Sequence, residues 1–191
     1  ALSEINRMMD RILNKIVTNL GTGRFYRARI VSPKDYDKIQ LKSEIVLGSE
    51  ESGIKGFCSN EMGPPPSEHV EDGRANKAKS SFLYLASDRA TACSEVQPVC
   101  GDLISVAPFE LTQTVQIADL RNIPHDLGCF TNNDNPDKLV DIVFTTVLIN
   151  FFSTPVGQKN AKEFYKYSQY ASEYLLKQGI SGLMYNSSHN S

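Results

Sequence analysis

Leu2, Ile5, Met8, Met9, Ile12, Leu13, Ile16, Val17 and Leu20 recur at steps of three and four residues, which places them on one helical face. A stripe this apolar must be covered by a core or by an interface, so a disordered chain is excluded. Gly21 follows the last apolar position and reads as the stop, so the spacing predicts a helix over 2–20. At 191 residues with 40% hydrophobic and 22% charged side chains, the chain can bury a sizeable core and suits a soluble globular domain.

The charge balance narrows the function. Lys and Arg number 20 against 22 Asp and Glu, a net charge of −2. A protein that neutralises nucleic-acid phosphates needs a basic excess or stripe, and neither is present. Cys58, Cys93, Cys100 and Cys129 form no C-x-x-C pair and have no His at zinc-site spacing, so no metal site is expected. No apolar run reaches the twenty or so residues that span a bilayer, and the first residues alternate charged with apolar groups. No membrane association and a reducing cytoplasm are the expected setting.

After Gly23, the run from Phe25 to Val31 alternates as a half-buried strand closed by Pro33, with Arg27 and Arg29 on one face. From Ser32 to Ser80, charged residues, Gly53, Gly56, Gly63, Gly73 and Pro64-Pro65-Pro66 leave little room for regular structure. Phe82 to Ala86 reads as a buried strand, and Ser87-Asp88 as the cap of a short helix that carries Glu95 and ends before Pro98. Two further strand-like runs cover Leu103–Phe109 and Thr114–Leu120. Asn135-Pro136 opens a helix that ends near Pro155, another runs from Ala161 to Gln178 with Gly179 as its cap, and a short strand follows at Gly182–Tyr185. The pattern is one mixed α and β domain behind a helical arm.

Phosphate-loop, dinucleotide-fold, zinc-protease and serine-hydrolase signatures are all absent. The histidines His69, His125 and His189 read as solvated loop or terminal residues rather than general bases. Distinctive instead is an ordered set of segments: Phe25-Tyr26-Arg27-Ala28-Arg29, Met62-Gly63-Pro64-Pro65, Gly73-Arg74-Ala75-Asn76, Leu83-Tyr84-Leu85-Ala86-Ser87-Asp88 with Glu95-Val96, Ala118-Asp119-Leu120, and Gly179-Ile180 with Tyr185-Asn186-Ser187-Ser188. In order and spacing they resemble the RES domains, a family named for an arginine, a glutamate and a serine. The resemblance covers about Gly23 to Asn190.

That resemblance implies an α+β fold, an ADP-ribosyltransferase-like mixed sheet core with flanking helices behind an N-terminal helical arm. The arm would be 1–22 and the RES domain 23–191, stopping before the closing strand that the family usually adds. The implied substrate is NAD, cleaved between nicotinamide and ribose, with ADP-ribose passing to phosphate or water. The implied role is that of a toxin paired with a helix-turn-helix antitoxin, and the apolar arm suggests self-association. Protein ADP-ribosylation is one alternative. A catalytically idle NAD-binding module is another, motivated by Gln97 standing where many relatives have arginine.

Carried over by position, the named residues are Arg27, Glu95 and Ser187, with Arg74 and Tyr84 at further pocket positions. Their chemistry suits the implied reaction. Loss of nicotinamide leaves an oxocarbenium-like ribose that a carboxylate stabilises, a role for Glu95. The planar forks of Arg27 and Arg74 match diphosphate oxygens. Tyr84 offers a flat face or a hydroxyl, and Ser187 a donor to phosphate or ribose.

Overall fold

A computed structural model of the chain describes residues 2–41, 54–123, 135–157 and 161–187. The readings made for Gly53, His125, Cys129, Ser188 and His189 lie outside these residues. In chain order the elements are α1 (Leu2–Ile16), β1 (Val17–Leu20), β2 (Gly23–Val31), β3 (Ile39–Leu41), β4 (Ile54–Phe57), α2 (Ser59–Met62), α3 (Arg89–Glu95), β5 (Leu103–Leu111), β6 (Val115–Asp119), α4 (Pro136–Ser153), α5 (Ala161–Lys177) and β7 (Gly182–Met184). The fold is α+β with an N-terminal helix. No helix among the described residues is long and apolar enough to cross a membrane.

Contacts divide the chain into two compact units. Among the described residues, the first comprises those within 1–21, 67–80 and 113–188, and the second those within 22–66 and 81–112.

In the first unit, α1 buries Met9, Ile12 and Ile16. Its polar side binds the neighbouring helices. Arg11 donates to the Asp137 carbonyl at 2.7 Å and, with Lys15, pairs with the buried Asp141. Tyr170 donates to Asn6 at 2.7 Å, and Tyr174 donates to Asp10. The helix predicted to reach Leu20 stops at Ile16 instead. Val17–Leu20 is a strand antiparallel to β6, with Val17 opposite Ala118 and Leu20 opposite Val115. Val17 and Leu20 satisfy the helical spacing, but β-branched Val17 and Thr18 also suit a strand, and pairing with a distant segment decides. β7 adds parallel to β6, giving the order β1-β6-β7.

Local signals placed the helices well. Asn135 Oδ1 accepts from the Asp137 amide at 2.9 Å with Pro136 in the first turn, which caps α4 as expected. Gly179, at φ +81°, closes α5, and the Ile180 amide donates back to the Leu175 carbonyl at 3.1 Å.

The second unit is built on the β2–β5 pair, antiparallel from Gly23 opposite Leu111 to Val31 opposite Leu103. Residues opposite one another share a face, so Arg27, Arg29 and Val31 line up with Leu103, Ser105 and Ala107. Phe57 and Met62 pack against that face and form a core with Val31, Leu103, Ala107 and Phe109. β4 can approach only because residue 56 is glycine: a β-carbon there would fall 2.0 Å from Ser105 Oγ. Ser105 Oγ in turn accepts from the Phe57 amide at 2.9 Å.

Within Ser32–Ser80, where little regular structure was expected, there are short elements: β3, β4, α2 and 3-10 turns at Pro33–Lys38 and Ser67–His69. The buried strand expected at Phe82–Ala86 does not form. Leu83, Tyr84 and Leu85 are more than a third exposed, and a single bridge joins Ala86 to Tyr26, with both hydrogen bonds at 2.8 Å. Apolar composition marked the segment as a strand, but only Ala86 finds a ladder partner.

Candidate active site

Arg27 leaves the middle of β2 half-buried and donates from Nη1 to the Met62 carbonyl at 2.8 Å and to the Gly63 carbonyl. Arg29, two residues along the same face, donates to the Glu61 carbonyl and lies 4.4 Å over the Phe57 ring. Together the two guanidinium groups hold the end of α2 and the start of the Met62-Gly63-Pro64-Pro65 segment. Burial pushes the Arg27 guanidinium below its ordinary pKa, and the neighbouring charge of Arg29 adds to the shift. Nε and Nη2 of Arg27 make no hydrogen bond among the described residues.

α3 packs against β2 and β5 with Ala92 buried. Asp88 caps it as expected, accepting from the Thr91 amide and hydroxyl, both at 2.8 Å. These bonds hold the Asp88 carboxyl below its ordinary pKa. At the other end of this helix stands Glu95, exposed, and two residues on the backbone turns through Gln97 at φ +48°, a left-handed conformation rare for a side chain other than glycine. Tyr84 is 41% exposed and precedes the Ala86 bridge by two residues. Arg27, Tyr84 and Glu95 thus share the second unit, on β2 and on the segment and helix attached to it.

Arg74 and Ser187 belong to the first unit. Arg74 donates from Nη1 to the carbonyls of Phe151 and Thr154, at 3.2 and 2.8 Å, where α4 ends and its last carbonyls lack helical partners. Its guanidinium also lies 5.5 Å over Tyr165. Residues 73–76 are fixed from α5: Ser168 donates to the Arg74 carbonyl at 2.6 Å, and Gln169 donates to the carbonyls of Gly73 and Asn76, each at 2.9 Å. Sequence reasoning passed over Ser168 and Gln169. The signal was two polar residues at the buried face of an amphipathic helix, where each needs a partner. Ser187 is half-buried just beyond β7, next to Asn186, whose side-chain amide donates to the Arg121 carbonyl at 2.7 Å.

A hollow of about 210 Å³ in the first unit is walled by Met9, Leu148, Phe151 and Tyr167 among other largely apolar groups, which suits no charged substrate. It contains none of the five residues singled out.

Neither the curated proteins nor the solved structures give a match. A family model does. The RES domain matches residues 56–191, a span that takes in Arg74, Tyr84, Glu95 and Ser187 and leaves Arg27 before its start. With well over half of its length matched, the chain belongs to the RES domain family.

Proposed function

We propose that the chain is an enzyme that consumes NAD by breaking the bond between nicotinamide and ribose and passing ADP-ribose to phosphate or water. The family is associated with NAD-related toxin activity, and the match includes Glu95. The observation that carries the reading is the docking of α3, with Glu95 at its end, against β2, the strand that bears Arg27.

In the proposed reaction the C1′–N bond breaks and its electron pair leaves with nicotinamide, turning a pyridinium into a neutral pyridine. Positive charge develops at C1′ and O4′, where the Glu95 carboxylate stabilises it. An oxygen of phosphate or water then adds to C1′; an attacking water releases its proton to bulk solvent as it does so. The departing base needs no proton, so the scheme requires no histidine. Arg27 binds diphosphate oxygens through Nε and Nη2 while Nη1 stays on the Met62 and Gly63 carbonyls. Tyr84 stacks on nicotinamide; Arg74, as a cation, and Ser187, as a hydroxyl donor, are proposed for phosphate or ribose oxygens on the strength of their family positions alone.

The biological role proposed is that of a cytoplasmic toxin held in check by an antitoxin. A second reading, an NAD-binding module without turnover, draws on Arg27 and Arg74 each giving Nη1 to backbone carbonyls. Incubation with NAD, with and without phosphate, followed by mass analysis separates the cases. ADP-ribose 1″-phosphate marks phosphorolysis, free ADP-ribose marks hydrolysis, and bound but unchanged NAD marks the idle module.

A further inference from the structure

β6 and β7 run parallel, with Ile117 opposite Gly182 and Asp119 opposite Met184. The segments that leave them stay joined: the Leu120 amide donates to the Met184 carbonyl at 2.7 Å. At the carboxyl end of this pair stand Asp119, Asn186 and Ser187, in two of the segments that the sequence singled out, and Arg121, which follows the first of them. Only Ser187 among them has a role in the reaction proposed above.

Arg121 is anchored on one edge. Its Nε donates to Asp119 Oδ1 at 2.9 Å and its Nη2 to Oδ2 at 2.6 Å, while its backbone amide donates to Oδ1 at 3.1 Å. From the other strand, Asn186 Nδ2 donates to the Arg121 carbonyl at 2.7 Å. The guanidinium has therefore lost much of its rotational freedom before any ligand arrives, which lowers the entropic cost of binding one. Its outer edge begins at Nη1, which makes no hydrogen bond among the described residues. The Arg121 side chain is 48% exposed, against 27% for Asp119. A half-exposed fork, gripped from behind by a carboxylate, matches a pair of phosphate oxygens.

We propose that Arg121, held by Asp119 and Asn186, is a phosphoryl-binding residue that takes two oxygens of a phosphate or diphosphate ester on its outer edge, beside Ser187. The identification of that ester with the diphosphate of NAD rests on the reading under Proposed function; the site itself does not.

The test is a backbone-amide NMR titration of the full chain with inorganic pyrophosphate, with ADP-ribose, and with adenosine as a phosphate-free control. Pyrophosphate and ADP-ribose are expected to move the Arg121, Asn186 and Ser187 amides, and adenosine is not. In Arg121→Gln, with the rest of its spectrum superimposed on the wild type, the same shifts are expected to need about tenfold more pyrophosphate. Should that variant misfold, Arg121→Lys keeps the charge, loses the fork and is expected to weaken the response as well. Amides unmoved in the wild type, or an unchanged midpoint in the folded variant, overturn the site. Nicotinamide release from NAD, measured on a separate portion of the same protein preparation, keeps the two ideas apart. Shifts without release retain the site and reject the enzyme, whereas release without shifts does the reverse.

Discussion

Arg27 donates from Nη1 to the carbonyl oxygen of Met62 at 2.8 Å, across 35 residues of sequence. The strand of the first segment is thereby tied to the end of α2 and the Pro-rich run after it. Arg27→Ala leaves the Met62 and Gly63 carbonyls without their charged donor, and is expected to lower stability by about 1–3 kcal/mol in urea unfolding. Arg27→Lys should recover part of this, since it restores one charged donor to carbonyls that Nη1 alone serves. No change in the unfolding midpoint of Arg27→Ala would show that the contact holds nothing.

Gly56→Ala is expected to destabilise the chain by about 1–3 kcal/mol, as other overpacked cores are. The added carbon would lie 2.0 Å from Ser105 Oγ and 2.8 Å from its Cβ. Rotating Ser105 away removes the acceptor of the Phe57 amide, so the clash has no free escape. The double variant Gly56→Ala, Ser105→Gly should regain part of the loss in thermal melts, which a clash elsewhere would not allow.

Arg74 caps α4 whatever else it binds. Arg74→Ala should cost about 1–3 kcal/mol of unfolding free energy, and amide hydrogen exchange should quicken first in the last turn of α4. If exchange there is unchanged, the contacts to the Phe151 and Thr154 carbonyls contribute little.

Burial, and then the hydrogen bond to Asp10, raise Tyr174 to about 12 from its ordinary 10.0. A raised folded-state value means that the folded chain keeps this proton while the unfolded chain loses it. The contribution is fully present below pH 10 and is lost as pH rises toward 12. Across that window the wild type should lose stability relative to Tyr174→Phe, and a tyrosinate absorbance step near pH 12 should be missing from the variant. A gap between the two proteins that stays constant with pH would contradict the assignment.

What could be read from sequence was local. Asp88, Asn135 and Gly179 announce helix ends because their chemistry acts within a few residues, and the structure has all three ends where they were expected. Alternation along β2 likewise put Arg27 and Arg29 on one face. The misreadings all turn on distant partners. Nothing near Val17 says that β6 will pair with it, and nothing within Phe82–Leu85 says that strand pairing will be confined to the bridge at Ala86. The carbonyls that Arg27 and Arg74 hold lie 35 and about 80 residues away, so the side chains could be chosen as cations but their resting partners could not be named.

The most direct test of the central claim is the rate at which nicotinamide is released from NAD by the wild-type chain and by Glu95→Gln, a change that keeps the size of the side chain and removes its charge. The account predicts release by the wild type and a fall of about 10²–10³-fold in the variant, with folding unchanged by circular dichroism. Equal rates in the two proteins, or no release by the wild type with phosphate present or absent, would contradict it.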